Sequence, residues 1–342
     1  MRTERPIREL PARDDALFLS DLVASGQPAV LRGLVEEWPS VREARVSPVA
    51  EVAYLGRFDS GTSVDAIMTP PEAAGRVFYN DTFSGFNFIR NRLTLSAVAE
   101  QVLRYSAFER APAVAAQSAL VKDCLPGFAE ENRLAALDPS IPARIWLGNA
   151  ITTPTHLDEW NNLACVAAGR RRFTLFPPQQ IGNLYVGPLD FAPTGAPMSL
   201  VRLDEPDFER FPRFREALAA AVTAELTAGD AIFIPPLWWH HVESLERFNL
   251  LVNYWWPAGG GDPLGSDSGF DALLHAILNL RRLPPATREA WGALFEHFIA
   301  ASEQQVAGHI PPQRHGILGP LTHSSEQKWR AFLAGRLQRP KS

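Results

Sequence analysis

The sequence predicts a mainly β chain with helical additions, organised around a barrel or jelly roll. Between Ile145 and Trp255, short apolar runs recur at even spacing and are punctuated by glycine and proline, the pattern of many short strands. On either side of that region the apolar residues return at helical spacing instead. At 342 residues, with 46% hydrophobic and 21% charged residues, the chain can bury a large core and has the balance of an ordinary globular protein.

Taken in order, Asp15 to Ala24 predicts a short helix with Leu17, Phe18, Leu22 and Val23 on its apolar face. Gln27 to Gly33 reads as a strand closed by glycine. From Tyr54 to Asn91, abundant glycine, threonine, asparagine and aromatics predict strands joined by turns, with Arg76 to Tyr79 as one alternating piece. Leu93 to Ser106 predicts a helix capped by Thr94 or Ser96, with Leu95, Val98, Val102 and Leu103 sharing a face. An extended piece follows from Pro112 to Val121.

Ile145 to Ile151 opens the central β region. Leu163 to Ala167 and Arg172 to Phe176 flank Gly169 in the pattern of a hairpin, which Pro177 and Pro178 end because proline cannot extend a hydrogen-bonded ladder. A polar, proline-rich excursion runs from Gln179 to Arg213 and leads into a helix from Phe214 to Ala221. Strands resume at Ala224 to Leu226, Ala231 to Ile234, His240 to Ser244 and Asn249 to Trp255. Ala258 to Asp262 reads as a flexible break, and helices are expected at Phe270 to Arg281, Thr287 to Ala301 and Ser325 to Leu337. Residues 1–257 therefore form the barrel domain with N-terminal α/β elements, and 258–342 a helical extension.

A net charge of −5 leaves no basic footprint, so nucleic acid is not indicated as a partner. Two cysteines, Cys124 and Cys165, without paired ligand spacing support neither a disulfide framework nor a zinc ribbon. The N-terminus lacks the apolar core of a secretory signal, and no run of about 18 apolar residues occurs. A cytoplasmic protein without a membrane partner is the expectation.

The chemistry concentrates in Thr153-Pro-Thr-His-Leu-Asp158 and Trp238-Trp-His-His-Val242. Residues two apart on a strand face the same side, so His156 and Asp158 can both point into a barrel, and His240 can join them from another strand. Two imidazoles and one carboxylate leave positions open on a metal, the ligand set typical of non-haem Fe(II) oxygenases. Closed structural zinc sites use four protein ligands and usually cysteine. An isolated His-x-Asp more often means a hydrogen-bonded surface pair, so the surrounding blocks matter.

Those blocks are the two stretches above together with Gly169-Arg-Arg-Arg-Phe173, Leu175-Phe-Pro-Pro178, Pro206-Asp-Phe-Glu-Arg-Phe-Pro212, Gly229-Asp-Ala-Ile-Phe-Ile-Pro235 and Val252-Asn-Tyr-Trp255. In this order, from about Pro28 to Trp256, the chain resembles the JmjC and cupin-like Fe(II)- and 2-oxoglutarate-dependent oxygenases, especially their asparaginyl-hydroxylase-like branch. The family fold is a double-stranded β-helix, the cupin jelly roll. The resemblance implies that His156, Asp158 and His240 bind iron, with His241 as the competitor for the third place. It implies that Arg171 stands where relatives carry lysine for the distal carboxylate of 2-oxoglutarate, with Thr153 as a second contact. Arginine holds a carboxylate bidentately and is not geometrically equivalent to lysine.

The tyrosine that often completes that carboxylate site is not evident in Pro112 to Ser118, and Gln117 or Tyr79 is the candidate replacement. Asn162, Asn253 and Trp255 match family residues near cosubstrate and metal. The activity implied is hydroxylation of a C–H bond with Fe(II), 2-oxoglutarate and O2, releasing succinate and CO2. A protein side chain is favoured as substrate over a small molecule or an RNA base. The rivals are a metal-dependent cupin that does not use 2-oxoglutarate and a cupin-like ligand-binding protein without turnover. The C-terminal helices resemble the extension through which relatives form homodimers.

Overall fold

A computed structural model describes residues 5–193, 195–258 and 269–338. It divides into two compact units, one ending at Gly265 and one beginning at Ser266. Of the expected break from Ala258 to Asp262, all but Ala258 lies outside the described residues.

Thirteen strands lie in the first unit: β1 Glu9–Pro11, β2 Ala29–Arg32, β3 Val64–Thr69, β4 Ile89–Leu93, β5 Ala113–Leu120, β6 Ala143–Gly148, β7 Thr152–Leu157, β8 Asn161–Ala168, β9 Arg170–Phe176, β10 Val222–Thr227, β11 Ala231–Ile234, β12 Trp239–Ser244 and β13 Asn249–Trp256. Nine of them form a large sheet in the order β1-β2-β11-β8-β13-β6-β5-β3-β4, and four form a small sheet in the order β10-β9-β12-β7. The chain crosses repeatedly between the two sheets. This is the expected jelly roll with helical additions.

That crossing corrects one expectation. The segments flanking Gly169 do not pair as a hairpin: β8 belongs to the large sheet and β9 to the small one. Gly169 has φ +75, and an added Cβ would sit 2.4 Å from the Phe248 carbonyl oxygen, so only glycine fits where the chain changes sheets. Local sequence marks the turn, but which strands pair across it is decided by partners distant in sequence.

Helices Pro39–Val46, Pro48–Gly56 and Leu95–Tyr105 cover the outer face of the large sheet. Val41, Leu55, Leu95, Val98 and Val102 pack there with Ile145, Leu147, Leu163, Cys165, Leu250 and Val252. Each fully buried aliphatic side chain is worth about 1.5–3 kcal/mol, so this outer layer is the main anchor of the sheet. Thr94 caps the third of these helices by accepting from the Ala97 N–H. Two of the three were not expected: Tyr54 lies inside a helix, and Arg76 to Tyr79 makes only isolated bridges to Thr152 and Phe86. Both helices are short, at eight and nine residues, and packing on the sheet supplies the stability that local periodicity does not.

Between the sheets lies a second, narrower core containing Val30, Ala164, Val166, Phe173, Leu175, Leu226, Ile232, Ile234, Val242 and Leu251. It separates two polar ends of the interior.

Glu51 is fully buried beneath the N-terminal helices, with one carboxylate oxygen accepting from Ser40 Oγ at 2.6 Å and the other unpartnered. Burial pushes its pKa up from 4.5 to about 9, against the Ser40 hydrogen bond. Folding therefore retains a proton that the unfolded chain releases above pH 4.5, and this group's contribution to stability falls as pH rises from 4.5 towards 9, by at most about 1.4 kcal/mol per pH unit. Glu51→Gln should become increasingly stabilising relative to the parent between pH 5 and 9. A Tm difference that does not change with pH would count against it.

The second unit carries helices Gly269–Leu280, Pro285–Phe295 and His323–Leu337. None has a buried residue, and Leu278, Trp291, Phe295, Phe332 and Leu337 are exposed. Both cysteines of the chain are free and buried in the first unit. No helix among the described residues is long and apolar enough to cross a membrane.

Candidate metal centre

His156 comes from the end of β7, Asp158 from the residue beyond it, and His240 from the start of β12, paired directly across from His156. Their ligand atoms all lie within 4.8 Å of one another. His240 Nε2 approaches Asp158 Oδ2 to 3.5 Å, near the roughly 3 Å edge of an octahedron with metal bonds of about 2.1 Å. No other cluster of three such side chains occurs among the described residues.

Both imidazoles are oriented by backbone. His156 Nδ1 donates to the Pro154 carbonyl at 2.8 Å, and His240 Nδ1 to that of Trp238 at 3.0 Å. A carbonyl only accepts, so the proton sits on Nδ1 and each Nε2 presents a lone pair to the cluster. Burial, then the neighbouring His240, lowers the His156 pKa to about 4, which keeps the ring neutral at physiological pH. Burial raises the Asp158 pKa, but the adjacent His240 and His156 rings and the Asn162 side-chain N–H hold it below the usual carboxylate range. A neutral His156 and an ionised Asp158 are the protonation states a divalent metal requires of them.

A bulge makes the next contact possible. Between His240 and Val242 of β12 the register to β7 shifts, so Pro154 and Thr155 together oppose His241, and Val242 pairs with Thr153. Strict alternation would turn Thr153 away from His156; the extra residue returns it to the same interior face. Thr155 and His241 take the opposite face, with Thr155 Oγ1 3.5 Å from His241 Nδ1. His241 thus stands outside the cluster.

Arg171 enters the interior from β9. Its neighbours point outward and are neutralised: Arg170 pairs with Glu225 and Glu246, and Arg172 with Glu225 and Glu243. Arg171 is 6% exposed, forms no ion pair among the described residues, and its Nε has no hydrogen-bond partner. Burial lowers its pKa to about 10, so it remains charged. A buried cation without an anion is costly, and an arriving carboxylate removes that cost. Ser244 lies across from Arg171 in register, and its buried Oγ is also unpartnered. The pair sits four residues along β12 from His240, about 13 Å of strand, with the arginine side chain free to span part of it. A metal-chelating dicarboxylate suits this arrangement by its charge.

Asn162, Asn253 and Trp255 share the interior face of the large sheet. Asn253 Nδ2 donates to Asn162 Oδ1 at 2.6 Å, and Asn162 Nδ2 to Asp158 Oδ2 at 3.3 Å, a chain that ends on the metal-site carboxylate. The free Oδ1 of Asn253 and Nε1 of Trp255 are buried without partners. Tyr79 does not supply the expected tyrosine function: its hydroxyl donates to the Phe191 carbonyl at 2.7 Å and its ring stacks on Phe83. Gln117 stays partly buried in the irregular stretch of β5 where the register to β6 shifts. Ser244 was not anticipated, although its place two residues beyond Val242 on the His240 face was readable from alternation.

A model of the cupin-like domain matches residues 15–261. The chain is 37% identical to HSPB1-associated protein 1 of Homo sapiens over 149 residues, 43% of this chain and 30% of that protein. It is 33% identical to lysine-specific demethylase JMJ31 of Arabidopsis thaliana over 132 residues, 38% of this chain and 22% of that protein. With tRNA wybutosine-synthesizing protein 5 of Gallus gallus it shares 32% over 147 residues, 40% of this chain and 43% of that protein. The match thus spans less than half of each of these relatives.

Proposed function

The chain belongs to the JmjC-like cupin family, and on that footing we propose that it is an Fe(II)- and 2-oxoglutarate-dependent oxygenase that hydroxylates a C–H bond, with a protein side chain as the favoured substrate. The observation that carries this reading is the pairing of an open three-ligand cluster with a buried, partnerless Arg171 further along the same interior.

In this reading His156, Asp158 and His240 hold the metal, and Arg171 with Ser244 and Thr153 holds the far carboxylate of the cosubstrate. Iron and 2-oxoglutarate, when bound, would use O2 as the oxidant for C–H hydroxylation, one oxygen atom going to the substrate and the other to succinate as CO2 is lost. The chain's own residues do the rest. The Pro154 and Trp238 carbonyls fix both imidazoles, and Asn162 orients Asp158. Val166, Leu175 and Val242 belong to the apolar core between the sheets, which limits water in the interior. No general acid–base pair is needed, and the buried His156 is poorly suited to exchange protons near neutral pH.

The relatives' names point to different substrate classes, a lysine in one and a tRNA in another. The test is therefore a screen of peptides, small metabolites and RNA oligonucleotides for iron-dependent succinate release coupled to a one-oxygen mass gain. Oxygenation without any 2-oxoglutarate requirement would favour a simpler metal-dependent cupin, and cosubstrate binding without turnover a ligand-binding role.

The exposed apolar residues of the C-terminal helices support a homodimer formed through this unit. Light scattering should give twice the 37.8 kDa chain mass, and Trp291→Glu with Phe295→Glu should return it to the monomer value. A monomeric parent protein would rule the dimer out.

A further inference from the structure

A second unpaired cation lines the same interior at its metal end. Arg144 of β6 lies directly across from Asn253 of β13, on the face that also carries Trp146 and Trp255. From Asn162 on β8 to Arg144 on β6 is two inter-strand steps, about 10 Å, within the reach of a guanidinium and a small substrate. One nitrogen, Nη1, donates to the Ser118 carbonyl at 3.0 Å and to Ser118 Oγ at 3.4 Å, and the guanidinium stands 5.8 Å from the Trp255 ring centroid. No carboxylate pairs with Arg144 among the described residues; Asp123 acts on it only through space. Beside it, the indole N–H groups of Trp146 and Trp255 are buried without acceptors, and the two rings meet edge-on at 6.2 Å.

Arg144 and two buried indole N–H groups therefore share one sheet face, where the indole donors have no acceptor and the guanidinium has only Ser118. Unsatisfied buried donors cost about 1–3 kcal/mol each, a cost that a bound acceptor would remove. Arg171 already accounts for the cosubstrate's far carboxylate and lies on the other sheet at the other end of the interior. We infer that Arg144 is the substrate-recognition residue of this site and that the substrate presents a carboxylate to it beside the C–H bond that reacts. This rests on the oxygenase reading above. A carboxylate is favoured over a phosphate because the two indole N–H groups are buried, and a second negative charge is expensive away from water. The chain's net charge of −5 also offers no wider basic surface for a phosphate backbone.

The test uses the full chain loaded anaerobically with Mn(II) and an unreactive 2-oxoglutarate analogue. N-acetyl-glutamate and N-acetyl-aspartate methylamides are titrated against their glutamine and asparagine counterparts, and against glycerol phosphate, by calorimetry and ligand-observed NMR. The acids should bind at least 10-fold more tightly than the amides. Arg144→Gln should abolish that preference, and Arg144→Lys, which keeps the charge and loses the fork, should restore part of it. The analogue-induced rise in Tm should persist in both variants, which also reports that they fold. Equal affinity for acid and amide, no binding of either, preference for glycerol phosphate, or loss of analogue affinity in Arg144→Gln would each overturn the inference. Failure of the oxygenase reading is separable, because the parent protein would then bind no analogue in a metal-dependent way before any probe is added, and the inference would fall with it.

Discussion

His156→Ala and Asp158→Ala are each expected to weaken Fe(II) binding by more than about 100-fold and to remove the thermal stabilisation that anaerobic Fe(II) with 2-oxoglutarate gives the parent protein. Metal at 100 times its Kd should add about 2.7 kcal/mol to stability, so the loss is large enough to read as a Tm shift. His241→Ala is the control. It is equally buried and adjacent in sequence to His240, but it faces the other side of β12 beside Thr155, so metal binding should survive its removal. Normal metal affinity in the first two variants, or its loss in the third, would move the site elsewhere.

Arg171→Ala should separate stability from function. In the metal-free protein Arg171 is a buried charge with an unpartnered nitrogen, so its removal should leave Tm unchanged or raise it. The same variant should weaken 2-oxoglutarate binding by about 2–5 kcal/mol, the range for losing one side of a buried charge pair, or roughly 30- to 4000-fold, while Fe(II) binding is largely kept. Arg171→Lys should fall between the two, since an ammonium supplies charge without the bidentate fork. Unchanged cosubstrate affinity in Arg171→Ala would reassign the carboxylate site, and a large drop in Tm would mean that the arginine has a structural partner instead.

The site was legible to the extent that it is local. His156 and Asp158 are two apart at a strand end, and the Arg170–Arg172 run alternates as a strand must, with its outer members held by Glu225, Glu243 and Glu246. Thr153 was matched by motif alone, and the bulge that turns it inward has no signature in Pro154 and Thr155 themselves; it exists because β12 pairs with one residue fewer. Tyr79 was open as a candidate because composition could not reveal its bond to Phe191, more than a hundred residues away.

By itself, the sequence determined the succession of most central strands and the jelly-roll class, because side-chain alternation and turn residues are properties of neighbouring residues, and it offered His156, Asp158 and His240 as candidate donors through the family resemblance. Only the tertiary structure decided that β8 and β9 part into different sheets at Gly169, that Ser244 stands beside Arg171, and that Arg144 stands by the Trp255 indole without an acid. Those outcomes depend on register between strands far apart in the chain, where a one-residue slip reverses every side chain, and no local pattern carries that information.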